Sequence, residues 1–470
     1  MAIPSDIYCN PLPLPDIPHR VLVDLPTSDF REVSDPEVLY DQGIWYMYPS
    51  GGQAFVSRDL AHWDYCPIAI DQKLGYAPSA CRCGDRILLT ASVFGAINKE
   101  PQIFAAPHPL GPFSSLGTPV DRSGKPLKLF ADPALFCDDD GRLYLYWGFA
   151  NGHEGEIYGA EMDPTNPIQA ISDIHTVVRY NGANWWEHYG EHHEHDCYGW
   201  DEGISMFKHN GEYYLQYASD GTNFRNYCCS CYRSKVSPLG PFTPPSRPML
   251  HSPYGIVTGT GHGGLVNGPN GSVWQFYTCR IARIHEYERR VSMDRVTFNE
   301  SGEPMVAVTS TPQSFSMGDL GLVPISENKR TTASSAQPFA GPNLAVDACT
   351  HTCWAPMPDD PAPSLTIDCV ETFAMTALRL IWAEFGLDYD SGKTPEPVRF
   401  EVRFYDADHK EITDARIDCR DNAVDHNIEF RTFPPVAARY ATVTIDRTHA
   451  RLHHGITDFT LFAPPKTIAK

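Results

Sequence analysis

The chain has 470 residues, 12 % of them aromatic, and a formal net charge of −21 at pH 7. That sign argues against nucleic acid or an anionic membrane as partner, because phosphate binding needs a basic face. At this length two domains are the expectation. The 41 prolines and 35 glycines cut the sequence into short apolar runs, and Ala- and Leu-rich stretches are nearly absent, so the expected class is all-β. The N-terminus shows no basic start followed by an apolar run, and no apolar stretch reaches the ~18 residues of a membrane helix. A cytoplasmic protein is therefore expected, although a secreted form trimmed of its leader would look the same. The 14 cysteines follow no zinc or disulfide-module spacing and are expected to be reduced thiols.

Five related segments follow one another along the chain. The first, SDPEVLYDQGIWYMYPS, is headed by Asp35, and the second, YAPSACRCGDRILLTAS, begins at Tyr76. The third, ADPALFCDDDGRLYLYWGF, is headed by Asp132 and contains Trp147. The fourth, DEGISMFKHNGEYYLQYAS, is headed by Glu202, and the fifth, GTGHGGLVNGPNGSVWQFYT, contains His262. In the first, third and fourth an acid precedes a small or Pro residue, an apolar stretch, a polar turn with Gly, and an aromatic strand. Alternation about a Gly-containing turn predicts a β-hairpin. The segments recur roughly every 40 to 70 residues, the range of propeller blades with loop insertions. Propeller blades set equivalent strands around one channel, so three carboxylates distant in sequence are expected to converge. Two copies of PLGPF, 109–113 and 238–242, read as blade-edge turns. Beyond residue 325 the acid-headed hairpins stop and short alternating strands such as SLTIDCV and ARYATVTID predict a β-sandwich. The expected domains are a five-bladed β-propeller over 1–324 and a sandwich over 325–470.

These strings resemble glycoside hydrolase family 43, in particular members carrying a C-terminal discoidin-like (coagulation-factor C-type, galactose-binding-like) sandwich. SDPEV, FADPALF, DEGISMFKHNGEYYLQYAS and GTGHGG carry the first part of the likeness, and AVDACTHTCWAP and GITDFTLF the second. The resemblance implies an inverting glycosidase with Asp35 as general base, Glu202 as general acid and Asp132 tuning the acid. Chemistry agrees with that division. Hydrolysis needs one carboxyl to protonate the leaving oxygen and another to activate water, roughly 6.5–9.5 Å apart for inversion. The acid must hold its proton well above the ordinary glutamate value of about 4.3, which burial and a neighbouring carboxylate both favour. An isolated Asp before Pro would be read as a turn residue; three acids in register are read as a site.

His262 matches a histidine that the family places beneath the substrate, holding a water or a metal ion. No cofactor is required by the resemblance, which leaves room for that channel-bound group and for a structural calcium near Asn343 and Asp347. One of Arg280, Arg289 and Arg290 is expected to point into the site, Arg280 first because it directly follows a fifth-blade strand. The stretch NWWEHYGEHHEHDCYGWDEG ends at Glu202 and should pass over the site mouth. Its His188, His192, His193 and His195, with Glu187, Glu191, Glu194 and Asp196, raise a zinc reading. A Trp-Glu-x-x-Gly insertion of related proteins, matched by Trp186, Glu187 and Gly190, favours a polar rim instead. Trp186, Glu187, Trp147 and Tyr76 complete the substrate-binding candidates, and Trp185 is a further stacking candidate.

The expected activity is exo-acting release of terminal pentose from an oligosaccharide or a polysaccharide side chain, as by a β-xylosidase or α-L-arabinofuranosidase. A β-D-galactofuranosidase is the alternative. A retaining fructosidase would want Asn-Asp-Pro-Asn and Glu-Cys where this chain has Ser34-Asp35-Pro36-Glu37 and Glu202-Gly203. A non-catalytic carbohydrate-binding propeller would tolerate loss of an acid, yet all three are present.

Overall fold

The computed structural model describes residues 6–15, 17, 29–92, 100–128, 130–281 and 283–466; parts of the N-terminal stretch in which no leader is read lie outside them. The fold is all-β, and no helix among the described residues exceeds a single 3-10 turn. Five antiparallel sheets form the blades of a propeller. Their first strands are Glu37–Asp41, Ser79–Cys83, Ala134–Cys137, Glu202–His209 and Gly261–Asn267. Each first strand lies against the next, and the fifth returns to the first, so the ring is closed around a central channel.

Blade stacking explains the aromatic second strands. In Ile44–Tyr48, Trp45 and Met47 enter the core shared with fifth-blade Trp274 and Phe276. Tyr46 and Tyr48 enter the core shared with second-blade Ala80 and Leu89. A strand buried on both faces must be apolar at every position, with successive side chains serving different neighbours. The third blade repeats the pattern, Leu143, Leu145 and Trp147 facing one way and Tyr144 and Tyr146 the other. Both PLGPF turns dock alike: the Tyr48 hydroxyl donates to Pro109 O at 2.8 Å, and that of Tyr146 to Pro238 O at 2.8 Å.

One backbone feature is shared by all five blade heads. Asp35, Ala77, Asp132, Gly203 and His262 have φ of +52°, +49°, +41°, +62° and +37°. Positive φ is uncommon for residues with a Cβ, and its strain is tolerated where surrounding structure fixes it.

Residues 7–10 bind outside the first blade. Asn10 Nδ2 donates to Met293 O at 2.8 Å, its Oδ1 accepts from Met293 N at 3.0 Å, and Ile7–Tyr8 pairs with Gln313–Ser314. The C-terminal region is one seven-stranded sheet. Its long strand Ser364–Phe385 breaks register between Asp368 and Phe373 and again between Met375 and Ala377, folding the sheet over itself as a β-sandwich. Trp354, Leu365, Ile367, Leu380, Trp382 and Phe400 fill the interior. Asp347, weighed above for calcium, accepts hydrogen bonds from Cys349 N and the Thr352 hydroxyl. All fourteen cysteines are unpaired, and among the described residues no helix is long and apolar enough to cross a membrane.

Buried Arg379 joins the two regions. Its Nη1 donates to Asn10 O at 2.8 Å and Ser310 O at 2.7 Å, and its Nε to Asp458 at 2.9 Å. Arg379→Met strands Asp458 without its cation, and breaking a buried pair costs about 3–5 kcal/mol. A fall of that size in unfolding free energy by denaturant titration is expected.

Candidate active site

Three of the blade heads, Asp35, Asp132 and His262, come together with Glu202, which precedes a fourth, so the three sequence-predicted acids meet. His262 Nδ1 lies 3.6 Å from Asp35 Oδ1 and 3.6 Å from Asp132 Oδ2. Gly203 N, the residue after Glu202, donates to Asp132 Oδ2 at 3.0 Å. A Cβ on Gly203 would lie 2.9 Å from the His262 ring, so the fourth blade needs glycine there both for φ and for space.

Each acid has its own set of partners. Asp35 accepts from Arg289 Nη1 at 3.1 Å, Arg289 Nη2 at 3.2 Å and the Ser50 hydroxyl at 2.7 Å, while its backbone N donates to Thr278 Oγ1 at 2.8 Å. Asp132 accepts from the Ser92 hydroxyl at 2.8 Å, and its N donates back to that oxygen at 2.7 Å. Glu202 accepts from Trp200 Nε1 at 2.7 Å and the Tyr227 hydroxyl at 3.1 Å, and among the described residues no cation hydrogen-bonds to it. Arg289 also donates through Nε to Glu32 at 2.9 Å and through Nη1 to the Thr222 hydroxyl at 2.8 Å. Tyr76 and Tyr287 lie against its guanidinium, the Tyr76 hydroxyl donating to Glu32 at 3.2 Å.

These surroundings separate the carboxyls. Burial pushes Glu202 up, the charges of Asp132 and Asp35 push it further, and the Trp200 and Tyr227 donors do not offset them, leaving it at about 8. Burial would raise Asp35 too, but Arg289, His262 and the hydroxyls of Ser50 and Ser34 outweigh it and hold Asp35 below the ordinary aspartate value. A neutral acid beside an ionised carboxylate is the pairing that lets one site donate and accept a proton near neutrality.

Several candidates lie elsewhere. Among the described residues no hydrogen bond or ion pair joins Arg280 to the three acids, and its buried Nε has no partner. Arg289, paired across the sheet with Arg280, is the arginine in the site. Arg290, the next residue, points the opposite way to Asn427. Trp147 is in the interblade core, its Nε1 donating to Lys128 O. Trp186 is buried with its Nε1 3.4 Å from the Tyr217 hydroxyl, so it presents no ring face to a sugar. Neighbouring Trp185 is 47 % exposed. Glu187 is wholly buried, spending its oxygens on Asn181 N, Asn184 Nδ2 and the Tyr217 hydroxyl. Burial raises Glu187, and burial followed by the charge of Glu187 raises adjacent Asp201 well above its ordinary value.

The His-rich stretch is no helix beyond the turn Trp185–Glu187. His188 bonds Gly182 O at 2.9 Å, His193 bonds His188 O at 3.1 Å, and Glu191 pairs with Arg225 at 2.5 Å. Among the described residues no group of three or more His, Cys, Asp or Glu is placed to hold a metal ion. Sequence reasoning missed Glu32, Trp200, Tyr227, Ser50, Ser92 and Thr278. Trp200 alone carried a signal, since it sits two residues before the acid.

A closed five-bladed ring with a neutral and an ionised carboxyl at one channel mouth is glycosidase architecture. The sequence profile of the glycosyl hydrolases family 43 matches residues 30–304, more than half of the chain, and the chain belongs to that family. The β-D-galactofuranosidase xynD of Aspergillus niger is 24 % identical over 306 residues, 57 % of this chain and 81 % of that one. Xylosidase/arabinosidase 43A of Humicola insolens is 25 % identical over 233 residues, 44 % of this chain and 65 % of that one. Among solved structures, a glycoside hydrolase matches with a TM-score of 0.50 at 17 % identity, covering 94 % of this chain and 99 % of its own. A thermostable family-43 glycoside hydrolase matches with a TM-score of 0.50 at 23 % identity, covering 65 % and 98 %. These structures share the fold.

The raised Glu202 has a consequence for stability. Its folded value of about 8 exceeds its ordinary value of 4.5, so stability present below the lower value is lost as pH rises through the upper one. Glu202→Gln has no charge to bury. Urea denaturation should find the variant equal to the parent at about pH 4 and more stable at about pH 9.

Proposed function

We propose that the chain is an exo-acting glycosidase that releases terminal pentose by an inverting acid/base mechanism, as a β-xylosidase or α-L-arabinofuranosidase does. The observation that carries this reading is the gathering of Asp35, Asp132 and Glu202 in one site, Arg289 bonded to Asp35 and the neutral Trp200 and Tyr227 donors on Glu202; the opposite displacements of Glu202 and Asp35 agree with it. Glu202 gives its proton to the glycosidic oxygen as the bond to the anomeric carbon breaks. Asp35 takes a proton from a water that attacks the opposite face of that carbon, and the sugar leaves with inverted configuration. Asp132 touches neither bond; its charge keeps the proton on Glu202 until the leaving oxygen needs it. Tyr76 and Trp185 are the aromatic candidates for contact with the sugars.

The relatives' names include both pentosidases and a galactofuranosidase, so β-D-galactofuranoside is the second substrate considered. In the domain reading, 1–324 is the catalytic propeller and 325–470 a discoidin-like sandwich that braces it or binds carbohydrate.

A panel of aryl glycosides, with the first-formed anomer followed by NMR, tests the reading. kcat/KM should fall on the alkaline side as Glu202 titrates near 8, and on the acid side only below the ordinary aspartate range. Glu202→Gln should abolish the alkaline limb and lower kcat on natural glycosides by roughly 10²–10⁴. It should cost less on aryl glycosides, whose leaving groups need no proton. Retention of configuration, or natural turnover unchanged in Glu202→Gln, would overturn the assignment.

A further inference from the structure

Arg289, which binds Asp35, and Glu32, which binds Arg289, each adjoin an arginine that reaches the C-terminal sandwich. Glu32 faces the site, while preceding Arg31, 1 % exposed, faces away. Arg31 Nε donates to Glu384 at 2.5 Å, Nη2 to the other Glu384 oxygen, and Nη1 and Nη2 to Asp425 at 2.7 and 2.9 Å. Arg289 faces the site, while following Arg290 faces away and donates through Nη2 to Asn427 Oδ1 at 2.7 Å. Side chains one residue apart on an extended chain leave on opposite sides, so each dipeptide has one arm in each domain.

The two dipeptides are also fastened to each other. Arg290 Nη1 donates to Arg31 O at 3.0 Å and Arg289 O at 2.8 Å, and Val33 N donates to Arg289 O at 3.1 Å. Asn427 is fixed in turn by donating to Trp382 O at 3.1 Å and Glu384 at 3.4 Å. From the same side, Arg283 donates to Glu384 O at 2.7 Å and lies over the Phe385 ring.

We infer that Arg31 and Arg290 are positioning residues through which the C-terminal sandwich, by Glu384, Asp425 and Asn427, sets the place of Glu32 and Arg289 against Asp35. The sandwich thereby belongs to the base half of the catalytic apparatus without touching substrate. Arg289 reaches Asp35 at 3.1 and 3.2 Å, the long end of a good charged hydrogen bond. Small displacements of its anchor therefore weaken the hold, and misplacement by about 1 Å can cost a large part of a rate.

The inference rests on Asp35 acting as the base, and the test separates the two. In the full-length protein, Asn427→Leu removes the acceptor of Arg290. With whichever aryl glycoside the parent hydrolyses, assayed well below the unfolding midpoint, Asn427→Leu should lower kcat about tenfold. KM should stay within about twofold, because uniform binding is untouched. In an Arg289→Lys background, Asn427→Leu should cost little more, since residues acting as a unit are not additive. If Asn427→Leu does not yield folded protein, Asp425→Asn loosens Arg31 from its more exposed side, where Asp425 is 20 % exposed, and should reproduce the kcat loss. A lowered melting temperature with parental kcat, or additivity with Arg289→Lys, overturns the inference. If Asp35→Asn itself keeps parental kcat, the base assignment fails instead.

Discussion

One buried cation shared by neighbouring carboxylates sets the chemistry of the channel mouth. Arg289 is 3 % exposed and lies between Glu32 and Asp35; a guanidinium that deep is tolerated only with carboxylates around it. It holds Asp35 ionised, while burial first, and then the charges of Asp132 and Asp35, make ionising Glu202 unfavourable. Glu202 has an indole and a phenol for partners, which stabilise a carboxylate less than a cation would. Arg289 is the arginine that the described residues place against these acids, and together with the burial of Glu202 its position separates the two roles.

The fold was legible because blades repeat. Hairpin alternation, Gly-containing turns and the acids at segment heads all derive from one structural unit used five times, and the first strands begin close to the segment heads. Asp35, Asp132 and Glu202 could be read for the same reason: repetition turns distance in sequence into proximity around a channel. His262 was readable through its flanking glycines, which let the backbone pass where a Cβ on Gly263 would lie 2.0 Å from Phe276 O.

What was not legible depends on direction rather than on residue type. Arg280, Arg289 and Arg290 are alike in sequence, yet three directions separate them, because neighbours on a strand face opposite sides and the sheet twists. Trp147 and Trp186 looked like substrate contacts because aromatics suit that use, but Trp147 lies on a blade strand covered on both faces and Trp186 is buried in the turn Trp185–Glu187 against Tyr217. Glu32 carried no motif; it matters because Arg289, more than two hundred residues away, needs a second carboxylate. The histidines of 188–195 suggested a metal, while backbone oxygens and Arg225 absorb much of that loop's polarity.

Glu202 departs from the repeat in a way that bears on its task. In blades one and three the left-handed residue itself carries the carboxylate, whereas in blade four that residue is Gly203 and the acid precedes it. The His262 ring fills the space a Gly203 side chain would use, so no carboxylate could sit there without displacing the histidine that lies beside both aspartates. Moving the acid back by one residue sends its side chain away from Arg289 and into the wall made by Trp200 and Tyr227. Trp200 is itself stacked on Phe149 at 4.8 Å, so that wall is rigid as well as poor in charge. The one-residue offset seats the glutamate against neutral donors, where burial and the neighbouring aspartate charges keep its proton on.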